Sequence, residues 1–152
     1  MTYATAEARR ELLRDIAGAI EEIGSALAAL GTAYELLDER TADVLEAEVF
    51  RPVQTAYGRA QRTHSGFAQR CGLPGRAFRP RAGGTVARPV SELLEAAAGA
   101  ATHADAMIAE LQDSMRPVEV GDAELRAGLA EVRTLLTPVP GRARRVQSVV
   151  GR

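Results

Sequence analysis

The apolar residues of this chain fall into runs with helical spacing. Leu13, Ile16, Ile20, Ile23, Leu27, Leu30, Tyr34 and Leu37 alternate steps of three and four without a slip. Consecutive heptads of a and d positions mark a helix packed at a shallow angle along its whole length. The run predicts a helix from about Thr5 to Asp38, on the order of 50 Å long at the α-helical rise. Val49, Val53, Ala56, Ala60, Thr63 and Phe67 form a second series. A third, Val90, Leu94, Ala97, Ala101, Ala104, Ile108, Leu111 and Met115, is framed by Pro89 and Pro117. The fourth is short: Leu125, Leu129, Val132 and Leu136, with Asp122 as N-cap and Pro138 and Pro140 as stops.

No stretch alternates with the period of a strand. The pattern predicts an all-α protein: an up-down four-helix bundle with long coiled-coil-like helices and a long basic loop, Gly72–Arg88, between the second and third. Residues 1–141 form one helical domain in this reading, and 142–152 a short basic tail. Nothing between residues 32 and 51 is a Gly or Pro, so the first two helices are either continuous or turn near Glu39–Ala42, capped by Thr41 or Asp43. Pro52 lies inside the second helix, where it removes a backbone hydrogen bond and predicts a kink.

Charge divides the same chain into blocks. Residues 1–48 carry eleven acids and four arginines, and residues 92–141 carry nine and three. Between Val49 and Ser91 there is no acid, yet the segment holds Arg51, Arg59, Arg62, Arg70, Arg76, Arg79, Arg81 and Arg88. Segregation of this kind means that the blocks attract one another or that the basic one meets an anionic partner. Arg51, Arg59, Arg62 and Arg70 fall on one arc of the second helix, flanking its apolar seam. On the first helix Glu7, Glu11, Asp15 and Glu22 form an acidic stripe. Its like charges four apart disfavour the isolated helix, so pairing with arginines elsewhere accounts for it better. All nineteen basic residues are Arg, throughout the chain, which is the mark of a biased genome more than of anion recognition.

Candidate chemistry is sparse. His64, His103 and Cys71 are the only soft ligands, and no Glu stands three residues before either histidine, as a di-iron bundle requires. There is no nucleophile elbow and no phosphate-binding loop, so neither a metal, a cofactor nor an enzyme is expected. Phe50, Tyr57, His64 and Cys71 recur at sevens and widen the apolar face of the second helix, as in a helix touching two neighbours. Gly24, Ala28 and Gly31 sit in an uncharged, small-residue stretch that predicts close backbone approach, either within the bundle or between copies. With Phe50, Tyr57 and His64 they form the candidate interface.

A lone cysteine forms no internal disulfide, the N-terminus lacks the apolar core of a Sec signal, and the charge-free run Ile23–Tyr34 is too short to span a bilayer; a cytoplasmic setting and no membrane are expected. The sequence favours a non-catalytic helical protein working through protein–protein contact as an adaptor, scaffold or regulatory subunit, and self-associating as a homo-oligomer. The alternative is a polyanion- or nucleic-acid-binding module using the Arg-rich segment 51–88; it is less favoured because net charge is −1 and no recognition module is present. A cryptic enzyme comes third.

Overall fold

The computed structural model describes residues 5–80 and 87–150. These are all-helical, 84% helix with no strand. The elements are α1 (Ala6–Leu36), α2 (Glu39–Leu45), a π-helical turn (Glu46–Phe50), α3 (Arg51–Arg70), α4 (Val90–Asp113), the single turn α5 (Arg116–Glu119), α6 (Ala123–Leu136) and α7 (Val139–Val150).

The heptad series become the core. Leu13, Ile16, Ile20, Ile23, Leu27 and Leu30 are buried, as are all six members of the second series and all four of the fourth. Thr5 caps α1 by accepting from the Ala8 amide at 3.0 Å. The chain turns at Leu37–Asp38, slightly earlier than the sequence predicts: Asp38, and neither Thr41 nor Asp43, is the cap, accepting from the Thr41 amide at 2.8 Å. By length and composition alone α1 could cross a bilayer, a candidacy the count of uncharged residues missed, but its apolar face is largely buried against other helices.

Pro52 is accommodated without a break. A proline ring clashes with the carbonyl four residues back, here Glu48, and leaves it without its amide partner. The π-helical turn at Glu46–Phe50 lies directly before Arg51–Pro52 and widens the helix where that room is needed. The Glu48 carbonyl accepts instead from Arg142 Nη1 at 3.4 Å.

Helix directions depart from simple up-down alternation. Gly18 faces Met107 and Glu22 faces His103, so α4 runs antiparallel to α1. Tyr34 faces Phe50 and Gly24 faces Tyr57, so α3 is antiparallel to α1 as well. α3 and α4 therefore run the same way. α6 is antiparallel to α3, as Arg59–Glu131 and Arg70–Asp122 show, and α7 to α4, through Arg144–Glu95 and Gln147–Ser91. The connection after α3 is thus a crossover that climbs the bundle. Its described residues, 73–80 and 87–89, are non-helical, and the stretch 76–79 lies along α1 and α3; residues 81–86, including Arg81, are outside the described residues.

The segment expected to be a basic tail is a packed helix as far as residue 150. Val139, Ala143 and Val146 of α7 are buried. Pro138 and Pro140 stop α6 and also suit the first turn of a new helix, where a missing amide costs nothing.

Close approach occurs where it was not expected. A Cβ on Gly31 or Gly99 would meet nothing within 4 Å, and one on Gly24 would make ordinary contact with Tyr57. At Gly128 a Cβ would run into the Thr63 hydroxyl and lie 2.8 Å from its Cγ2. Thr63 is fixed there, donating to the Arg59 carbonyl at 2.8 Å and accepting from Arg59 Nη1 at 3.1 Å. Met115, the last residue of the third series, falls outside α4; it has φ 65° and is 51% exposed.

Gly128→Ala is expected to lower stability by about 1–3 kcal/mol through overpacking against Thr63. Gly99→Ala, on an open helix face, should raise it by about 0.5–1 kcal/mol. Urea unfolding distinguishes the two, and Thr63→Ala should restore part of the loss in Gly128→Ala. Met115→Gly should stabilise by ~0.5–1 kcal/mol, because only glycine adopts that left-handed backbone without a steric cost.

Candidate functional site

The structure distributes the arginines of the basic block among carboxylates. Arg59 Nε donates to Glu131 at 2.7 Å. Arg70 grips both oxygens of Asp122, at 2.7 and 2.9 Å, and reaches Glu124 at 2.7 Å. Asp122 is also the N-cap of α6, accepting from the Leu125 amide at 2.9 Å. Burial pushes its carboxyl up, but the Arg70 hydrogen bonds and the backbone amides outweigh this and hold it below the usual aspartate value. Arg76 pairs with Glu21 of α1. Arg51 and Arg88 make long, exposed contacts with Glu46 and Glu92, at 3.7 and 3.9 Å. Arg62 and Arg79 have no carboxylate partner among the described residues.

Three of these six carboxylates, Asp122, Glu124 and Glu131, come from the cap and body of α6. The acidic stripe of α1 goes elsewhere: Glu7 and Glu11 to Arg14 of the same helix, Asp15 to Arg116, and Glu22 to His103. Block-to-block attraction is therefore real, with partners that charge counting alone did not assign.

The candidate interface residues separate. Gly24, Tyr57 and His64 are buried within the chain and offer no surface to a second copy in this conformation. Ala28, Gly31 and Phe50 are half-buried, Phe50 edge-on to Tyr34 at 6.2 Å between ring centroids. The Phe50–Tyr57–His64 seam is the face that α3 turns toward α1.

His64 is the most unusual side chain on this face. It is 4% exposed, and its Nδ1 has no hydrogen-bond partner. The strap after α3 covers it: the Phe78 ring stands edge-on to the imidazole, centroids 5.2 Å apart, and the Arg76 guanidinium lies over the Phe78 ring at 4.7 Å. Beside it opens a cleft of about 450 Å³ between α1 and the strap, lined by Arg10, Leu13, Arg14, Leu73, Pro74 and Arg76 among others. Arg10 and Arg14 were not singled out from sequence; the available signal was a like-charge pair four apart on one helix. Among the described residues no group of three or more His, Cys, Asp or Glu is placed to hold a metal ion.

Comparison with protein-family models, with curated proteins and with solved structures finds no match. The functional reading accordingly rests on the chain's own residues.

Burial holds the His64 imidazole below its ordinary pKa of 6.5, the Arg76 charge adds to this, and the Leu13 backbone partly opposes it. The charged groups facing that cleft are Arg10, Arg14 and Glu21 from α1 and Arg76 from the strap. Below the unfolded pKa of about 6.5 the unfolded chain binds a proton that the folded chain resists. Stability should therefore fall as pH drops below that value and level off once the folded histidine also titrates. His64→Phe should flatten the pH dependence in this window, read as the urea midpoint between pH 7.5 and 5.

Proposed function

We propose that this chain is a non-catalytic helical-bundle protein that acts through protein–protein contact, as an adaptor, scaffold or regulatory subunit, and that it self-associates. The architecture in this reading is a four-helix bundle with coiled-coil-like seams, its fourth member divided into α6 and α7. The observation that carries the proposal is the internal use of the basic block. Arg59, Arg70 and Arg76 are engaged by Glu131, Asp122, Glu124 and Glu21, which lowers the charge left for a polyanion. Of the five large apolar side chains exposed among the described residues, Leu36, Val44 and Val149 lie toward one end, while Met115 and Val118 lie just beyond α4. Leu36, 57% exposed, and Val44, 48% exposed, flank the α1–α2 turn. Val149, 62% exposed, lies near the end of α7, which packs on α2. Apolar surface on a helix end favours burial against a second chain.

The polyanion reading keeps one support, the exposed Arg62 and Arg79 without carboxylate partners among the described residues. Two measurements separate these readings. Light scattering at micromolar concentration should give a dimer or larger, weakened by Leu36→Asp with Val149→Asp. Retention on heparin should be slight even at low salt, whereas a polyanion-binding module binds tightly at low salt and loses that binding steeply as salt rises. Arg59→Glu with Arg70→Glu should lower stability by ~1–2 kcal/mol through lost pairs and new like-charge contacts. Tight, salt-sensitive nucleic-acid binding abolished by that double variant, in a protein that remains monomeric, would reverse the order.

A further inference from the structure

The cleft beneath the strap has the features of a binding site that the contact reading leaves unused. Its volume of about 450 Å³ falls in the range of small-molecule sites. Apolar groups line it from both sides: Leu13 and Ala17 of α1, Leu73 and Pro74 of the strap. Three guanidiniums border it, against one carboxylate, Glu21, which Arg76 already engages. Arg14 reaches its nearest carboxylates, Glu7 and Glu11, only at 3.7 and 3.9 Å. Arg10 has no carboxylate partner among the described residues. These two arginines are four apart on one helix, where like charges repel and an anion between them removes the repulsion. The wall also holds His64, 4% exposed with Nδ1 unpartnered, although buried polar atoms are nearly always hydrogen-bonded.

The geometry points to a binding site for a small organic anion with an apolar body, its carboxylate held between Arg10 and Arg14 and its chain lying along Leu13, Ala17, Leu73 and Pro74. Each part of that description answers a feature of the cleft. A neutral molecule leaves the paired guanidiniums unmet. A bare inorganic anion leaves the apolar walls wet. The site is independent of self-association, and either reading can fail without the other.

The test uses the full chain with octanoate as probe, and octanol and octylammonium as neutral and cationic counterparts. Binding is followed by displacement of anilinonaphthalene sulfonate fluorescence and by the ring NMR signals of His64. Octanoate should bind roughly tenfold or more tighter than octanol, and octylammonium should not compete, as expected for charge-assisted hydrogen bonds. Octanoate should also move the His64 signals. Arg10→Gln with Arg14→Gln, both exposed positions, should weaken octanoate about tenfold or more without moving the thermal midpoint, while Arg126→Gln on α6 should not change it. Three results would each overturn the site: octanoate bound no tighter than octanol, undiminished binding by the double variant, or binding that leaves the His64 signals in place. Absence of octanoate binding at millimolar concentration would do the same.

Discussion

Two helices that run the same way cannot be joined by a turn, and that constraint shapes the whole α1–α3 face. α3 and α4 are both antiparallel to α1, so the chain leaving α3 must climb the bundle before α4 can begin. The 24 residues of α4 rise about 36 Å, far beyond the reach of a tight turn. A segment that makes this climb must not itself become a helix. Gly72, Pro74, Gly75 and Pro80 prevent it, while half-buried Leu73 and Phe78 hold the strap down. The covering of His64 and the cleft beside it follow from that route.

Heptad spacing made the seams legible, because burial depends on which positions share a face, and the face follows from period alone. Direction is another matter. An apolar seam packs equally well against a parallel or an antiparallel neighbour, so nothing in the periodicity of α4 distinguishes a bundle that alternates from one that crosses over. The prolines at 138 and 140 illustrate the same limit, since one residue type both ends a helix and begins one. Glycine was ambiguous too: Gly31, Gly99 and Gly128 look alike in sequence, and only the residue opposite, Thr63 in one case and open space in the others, separates them. The candidate site was half legible. The sevenfold recurrence that marks His64 was visible, but the strap that buries it and the arginines that border the cleft become neighbours only in space.

The charge blocks follow a comparable logic. Their overall attraction could be read from composition, whereas the pairing depends on which helix lies beside which. Because α6 lies along α3, its carboxylates receive Arg59 and Arg70, and Asp122 both starts a helix and anchors an arginine. Exposed pairs of this kind contribute little each, but together they favour one register of α3 against α6. On the other side of the bundle Arg142 meets the Glu48 carbonyl that Pro52 leaves without its amide, tying α7 to the π-helical turn before α3.

The crossover also bears on how the molecule comes together in time. α1 meets α4 across some eighty residues of chain, as at Glu22 and His103, but meets α3 across little more than thirty, as at Gly24 and Tyr57. Closing the longer loop costs about 0.8 kcal/mol more in chain entropy, and contacts of longer range form more slowly. The hairpin of α1 and α3 is thus the nearer event, and the strap follows directly from its end. Every residue lining the cleft, from Arg10 to Arg76, belongs to this first half of the chain. A ribosome delivers that half before α4 exists, so the face that carries His64 is the part of the molecule whose folding waits least on the rest.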